Sequence, residues 1–441
     1  MRLFVAVLVF TGCQSTAAPP NQANDVSTAP PTGSTALAST NIDLPPDVIA
    51  PRTSSTGTFS CDRLQTVSFD SPEADVQMQR HLLRDKFVLA GYRPDGVASG
   101  NVLDLRTMKW RALREDGAPR FIDGNKIWSP QVIALDTRLV LFGGATYVLD
   151  TETNQWHAVA QPPDLGQTIL STVGDVLVTS THRLDARALV YRPNSKGMQA
   201  GQRRAAWGGF FYQWSDGAPT GEKLDIRTGT VSTISLDGLK GFSTTAPPYP
   251  LGIGTFFVWG QTSGGKMAGA LFDPAKEAWT SVSHGGGPDL YRMNLPNDNL
   301  VVGRFFVHHR YWYQDPLAPS DGAAKEQDTL YIFDGAKATW ARVKTLKEAQ
   351  VFPIGSWVLV IGGGKAWLHD PEKGGRCELS ASRFGYGAGS PIQVLADGRR
   401  IVFFGNAIDS NPRCPPGAPC VVQHPELVRQ SFGSIVATIA P

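Results

Sequence analysis

Apolar and polar positions along this chain fall into short runs rather than helical stripes. Eight segments of five or six residues are almost wholly aliphatic or aromatic: residues 87–91, 139–144, 176–180, 210–214, 256–260, 305–309, 358–363 and 401–405. Each is too short and too evenly apolar for a surface helix, and Gly, Pro, Asn or Asp bounds it, so all eight read as buried strands. Behind them runs a second regularity. A loop and another short apolar run follow, the run ends in Asp, and Trp stands six residues further on. Four copies keep that spacing intact, Asp104/Trp110, Asp150/Trp156, Asp273/Trp279 and Asp334/Trp340. Three more keep the frame with substitutions, Arg192/Met198, Asp225/Val231 and Asp370/Arg376, and a weak eighth starts at His424. Successive anchors lie 33 to 61 residues apart, with a mean near 46.

A repeat of that length, with glycines after a buried strand and Trp after a turn, marks the blade of a β-propeller. The predicted fold class is therefore all-β, a propeller with eight candidate blades, or seven if the compressed third copy is absorbed. The paired glycines are expected to let inner hairpins crowd the axis where a Cβ would clash. The Asp is expected to hold the amides of the following turn. The Trp reads as an apolar wedge between neighbouring blades rather than a platform for ligand. Residues 59–69, ahead of the first repeat, read as an outer strand that completes the last blade and removes an open edge. The copies at 139–159 and 255–282 carry the pattern most fully, and from about residue 75 to 440 the chain resembles the Kelch-repeat propellers. That group includes the central domain of galactose oxidase and many bacterial surface lipoproteins.

Composition changes the picture mainly at the amino terminus. Gly (46) and Pro (32) are abundant, charged residues are only 18%, and 41% of residues are apolar, including 11 Trp, 10 Tyr and 21 Phe. A sizeable core follows, poor in long helices. The net charge of +2 gives no footprint for nucleic acid. Residues 1–12 have the layout of an export signal, with Arg2, an apolar run over 3–10 and small residues before Cys13. That ending resembles the lipobox of bacterial lipoproteins, which implies cleavage before Cys13, diacylation of its thiol and acylation (palmitate or similar) of the new amino terminus. Eight apolar residues cannot span a bilayer. Of residues 14–58, 30 of 45 are Ala, Pro, Ser, Thr or Gly, which predicts a disordered tether from 13 to 58 and a folded propeller over 59–441. Gln14 rather than Asp follows the cysteine, which in the enterobacterial sorting pattern directs a lipoprotein to the outer membrane.

Four cysteines remain for an exported body. Cys414 and Cys420 bracket a short Pro/Gly loop and are paired first, leaving Cys61 with Cys377; sequence alone permits three pairings. No metal is expected, because the eight histidines show no ligand spacing, and the adjacent His308 and His309 would face opposite sides of a strand. Cofactors are likewise expected to be none. Copper chemistry of the galactose oxidase type needs tyrosines, a cysteine crosslink and histidines that find no match here. Phosphate loops, GxSxG elbows and sialidase boxes are absent from the sequence as well. The least ordinary stretch runs from Arg304 to Tyr313, where His308, Arg310, Tyr311 and Trp312 set cations and flat rings side by side. These four are the candidate ligand-binding residues, joined by the loop 406–420, since both connections follow a second strand and should emerge on one face. The expected function is a lipid-anchored envelope protein that binds a glycan or a protein partner and has no catalytic residues. A cofactor-free sugar mutarotase or epimerase of the Kelch type is the enzymatic alternative.

Overall fold

The computed structural model describes residues 41–44, 59–69, 79–93, 95–123, 126–288, 299–310, 329–346, 349–384, 393–396, 398–404 and 434–439. The signal, Cys13, most of the tether, Tyr311, Trp312, His424, Cys414 and Cys420 lie outside them. Residues from Thr40 to Pro441 form one compact unit. It is an all-β propeller of eight antiparallel blades, with only short 3-10 turns as helix among the described residues. Blade 2 gives the plan: Gln131–Ala134, Arg138–Phe142, Thr146–Asp150 and Gln155–Val159 pair in sequence order from the axis outward.

All eight apolar runs become second strands: Lys86–Tyr92, Arg138–Phe142, Val176–Thr179, Phe210–Trp214, Thr255–Thr262, Phe305–Arg310, Trp357–Gly362 and Arg400–Phe404. Second strands lie between two partners within their own sheet and between two neighbouring blades, so both their faces are buried and the alternation of a half-exposed strand disappears. The core is correspondingly divided into eight apolar clusters, one at each interface between blades. Anchor tryptophans act as wedges there. Trp156 is 6% exposed among side chains of blades 1 and 2, and Trp279 packs between blades 4 and 5 with its indole N–H donating to the Ser235 carbonyl at 2.9 Å.

Ring closure follows the predicted device. Leu64–Phe69 pairs residue for residue with Ser434–Ile439 as the outer strand of blade 8, and the inner strand of blade 8, Gln393–Ala396, touches that of blade 1, Gln79–Leu83. Cys61 and Cys377 form a disulfide (Cα–Cα 5.9 Å) that binds the closing segment to the outer strand of blade 7, Arg376–Ser380.

Two expectations need correction. The third anchor is not Arg192/Met198. His182–Asp185 is the third strand of blade 3, Asp185 accepts from the Arg187 and Ala188 amides at 3.2 and 3.0 Å, and Tyr191 stands in the wedge position. With Asp185 as anchor the two intervals around blade 3 become 35 and 40 residues, and the blade has its own four strands, which gives eight blades. Of the glycines in the pairs at 143–144 and 363–364, only Gly143 answers to crowding, where a Cβ would stand 3.1 Å from Trp128 Nε1. Nothing lies within 4 Å of a Cβ built on Gly144, Gly363 or Gly364. Gly363 (φ 57) and Gly364 (φ 76) are instead the two central residues of a hairpin closed by Gly362 and Lys365, where left-handed backbone at both positions favours glycine.

Within the stretch expected as tether, residues 41–44 are seated on the propeller. Ile42 is 1% exposed in the cluster between blades 3 and 4, and its amide donates to the Arg227 carbonyl at 2.8 Å.

Candidate functional site

Antiparallel winding gives the ring two chemically different faces. Turns from first to second and from third to fourth strand lie on one, the turn face. Connections from second to third strand, and from one blade to the next, lie on the other, the loop face. His308 and Arg310 lie in the second strand of blade 6, Phe305–Arg310, which ends on the loop face as Arg400–Phe404 does; Tyr311, Trp312 and the loop 406–420 lie outside the described residues.

His308 and His309 are 5% and 2% exposed, and they do point apart: His308 shares its side of the strand with Phe306 in the cluster between blades 5 and 6, His309 with Phe305 and Val307 between blades 6 and 7. His308 reaches a polar chain. Its Nδ1 lies 2.7 Å from Asn299 Oδ1, and its ring centroid is 6.1 Å from that of Tyr331. Asn299 also bonds the Tyr249 hydroxyl, whose pKa burial pushes up to about 12 against the opposing pull of that bond and of the Arg203 charge. Arg203 holds Asp216 through two contacts, Nη2–Oδ2 at 2.5 Å and Nε–Oδ1 at 3.2 Å. Thr245 donates to the same carboxylate from its hydroxyl at 2.8 Å and its amide at 3.2 Å. A buried polar network thus links the loop-face ends of blades 4, 5 and 6. Arg310 ends its strand opposite Thr329.

The same rim carries a repeated residue type that the sequence reading did not single out. Inner strands begin at the loop face, and the first residue is Gln79 in blade 1, Gln131 in blade 2, Arg203 in blade 4, Asn299 in blade 6, Gln350 in blade 7 and Gln393 in blade 8. Gln79, Gln131 and Gln350 are exposed, and Arg203 and Asn299 are half-buried. A signal for this arc was present: Gln79, Gln131, Gln350 and Gln393 each stand eight residues ahead of an apolar run starting at 87, 139, 358 or 401. Primary amides both donate and accept without charge, which suits a neutral polyhydroxyl surface.

On the turn face an open cavity of about 350 Å³ is lined by inner turns of blades 1 to 4, including Arg84, Asp136 and half-buried Trp207. Its charges are committed: Arg84 and Asp136 form an ion pair, and the Asp136 amide donates to the Gly174 carbonyl at 3.1 Å. Turn-to-turn bonds of this kind, with Arg400 holding Asp85 at 2.7 Å, tie adjacent blades together around the axis. Burial pushes the His81 pKa down to about 4 and lowers that of His369, so both are neutral imidazoles near pH 7. Among the described residues no group of three or more His, Cys, Asp or Glu is placed to hold a metal ion, and no helix is long and apolar enough to cross a membrane.

No family model matches the chain, and no curated protein matches it. Among solved structures it is similar to apo AztD from Citrobacter koseri, at 13% identity over 69% of this chain and 85% of that one with a TM-score of 0.39. It is also similar to an oligogalacturonate lyase from Vibrio parahaemolyticus, at 11% identity over 71% of this chain and 96% of that one with a TM-score of 0.37.

Proposed function

We propose that this chain is a lipid-anchored binding protein of the bacterial cell envelope, a Kelch-type propeller that takes a neutral glycan at the axial rim of its loop face. The observation that carries the reading is the arc of amides: Gln79, Gln131 and Gln350 begin inner strands at one register, Asn299 begins that of blade 6 one register step away, the paired Arg203 takes the place in blade 4, and blades 3 and 5 begin with apolar residues. Uncharged groups that donate and accept alternately match sugar hydroxyls, while the only cation among these five is held by Asp216 and offers little to a free anion. His308 supports the arc from beneath by fixing Asn299. Arg310 ends the second strand of blade 6 at the same face, and it and the two residues that follow it in sequence, Tyr311 and Trp312, are proposed to extend the contact. Signal and anchor are argued from the lipobox resemblance at Cys13, and the outer membrane from Gln14.

The experiment joins a glycan array to a mutarotation assay by NMR. Binding of neutral glycans that falls at least about tenfold in Gln131→Ala, the loss of roughly one good hydrogen-bonded contact, is the expected result. Ring-form exchange accelerated by the protein and abolished in Arg203→Ala would replace the binding reading by the mutarotase one. Localisation is tested separately: Cys13→Ser should release the protein from membranes, and retention there would remove the anchor.

A further inference from the structure

A second cavity, about 160 Å³, opens between blades 1 and 2, and Gln79 of the amide arc is part of its wall. Its other walls are small, aliphatic or aromatic. Tyr92, 40% exposed, stacks on Phe121 with centroids 5.1 Å apart and planes 22° from parallel. Phe121 packs on Trp128 at 5.5 Å, and Trp128 on Tyr147 at 5.6 Å. The stack fixes Tyr92 from one side and leaves its ring as a rigid platform at the mouth. None of the lining residues is charged.

The two lining tryptophans have indole nitrogens shielded from solvent. The indole nitrogens of Trp128 and Trp156 are buried without a partner among the described residues, and Trp156 is 94% buried as a residue. Other wedge tryptophans share that condition, but only these two line either described cavity. Gly143 packs against the first of them: a Cβ there would stand 3.1 Å from Trp128 Nε1.

We infer that this cleft is a stacking subsite for one neutral pyranose ring of a glycan, seated on Tyr92 between the apolar walls, with Gln79 bonding its hydroxyls and joining it to the amide rim. The inference rests on the glycan reading of that rim. An anionic sugar is disfavoured because no cation lines the cleft. An extended proline-rich peptide, the other ligand class that aromatic grooves take, needs several successive exposed ridges, whereas here Tyr92 alone presents an open ring and Phe121 is buried behind it.

The test uses the full chain with ¹⁵N-labelled tryptophan, titrated with methyl β-glucoside, methyl β-galactoside, methyl β-N-acetylglucosaminide and, for comparison, a hexaproline peptide. Trp128→Phe and Trp156→Phe assign the two indole signals while keeping a ring in place. The expected result is that at least one glycoside shifts both signals and that Tyr92→Ala, at an exposed position the fold does not depend on, weakens its binding about tenfold. Glycosides that bind by calorimetry yet leave both indoles unmoved, with Tyr92→Ala binding as wild type, would overturn the subsite and leave the rim reading standing. Shifts caused by hexaproline alone would overturn the choice of occupant, and no binding of any glycoside would overturn both readings.

Discussion

Each third strand that ends in an anchor aspartate enters the same turn by the same bonds. Oδ1 of Asp150 accepts from the amides of Glu152 and Thr153 at 2.8 and 3.2 Å, and Asp104, Asp185, Asp225, Asp273, Asp334 and Asp370 repeat the pattern. The residue four beyond the aspartate then closes the turn in left-handed backbone: Met108, Asn154, Leu189, Glu277 and Ala338 at φ 50–60°, and Gly229 and Gly374 at 80° and 69°. Only two of seven blades use the residue that adopts this conformation without a steric cost. Those two separate conformation from contact. Nothing lies within 4 Å of a Cβ at position 374, so Gly374→Ala should lose about 1 kcal/mol from backbone strain alone. A Cβ at 229 would come within 2.3 Å of Arg183 Nη2 and 2.8 Å of the Pro193 carbonyl. Arg183 is fully buried and donates to the carbonyls of Ile226 and Pro193 at 2.7 and 2.8 Å, so it cannot move aside without orphaning them. Gly229→Ala should therefore cost more than about 2 kcal/mol. Urea unfolding of both variants checks the order, and equal losses would show that the contact with Arg183 is not what sets the cost.

At the scale of elements, stability depends on how blade 8 is completed. Its first three strands come from the carboxy-terminal part of the chain and its fourth, Leu64–Phe69, from the other end, so the ring is closed by one six-residue ladder. Side chains reinforce it on both flanks. Phe69 packs against Phe87 and Trp110 of blade 1 at 6.3 and 6.0 Å, and Phe59 meets Trp357 of blade 7 edge-on at 5.3 Å. The Cys61–Cys377 bond spans 316 residues of sequence, so reducing it restores a large conformational freedom to the unfolded chain. Cys61→Ser, or reductant added to the wild type, should lower unfolding free energy by about 2–5 kcal/mol, read from urea midpoints with and without dithiothreitol. Coincident midpoints would mean that the ladder closes the ring unaided. Much of this architecture was legible because a second strand buried on both faces must be continuously apolar, and eight such runs stand out from any other pattern. The third anchor was misread because Tyr191 replaces Trp in its wedge and hydrogen-bonds Thr146 of blade 2 at 2.7 Å, a substitution the Asp-to-Trp spacing does not register. The role of Gly363 and Gly364 was misassigned because a left-handed turn and a crowded backbone ask for the same residue, and only the surrounding space tells them apart.

The whole molecule combines positions that no local window of sequence connects. Gln79 and Gln393 are more than 300 residues apart yet begin adjacent inner strands, so the amide rim emerges only when the blades are laid on one another. The cleft of Tyr92, Trp128 and Trp156 likewise draws on two blades and the connection between them. In contrast, His308 was legible as unusual, but its position beneath Asn299 depends on a register that pairs the two strands at that point. The amino-terminal segment shows the same long-range logic. Ile42 is seated between blades 3 and 4, while Phe59 and Cys61 contact blade 7; on an eight-membered ring these stations are on opposite sides. The second station is covalent, whereas the first is non-covalent and includes one buried isoleucine, a half-buried Leu44 and the bond to the Arg227 carbonyl, a group that Arg183 Nη1 also contacts at 3.1 Å. Any load entering from the amino terminus therefore meets the weaker station first, and its effect should be confined to the interface it joins. Burying one isoleucine contributes about 1.5–3 kcal/mol, so Ile42→Asp should unseat the segment at that cost and speed amide exchange at Ile226 and Gly229, whose bonds to Gly209 and Asp225 lie beside the seat. Exchange in the ladder between Leu64–Phe69 and Ser434–Ile439 should stay as in the wild type. Faster exchange at both places would mean that the seat stabilises the ring as a whole rather than one interface of it, and unchanged exchange at Ile226 and Gly229 would mean that Ile42 contributes nothing to holding blades 3 and 4 together.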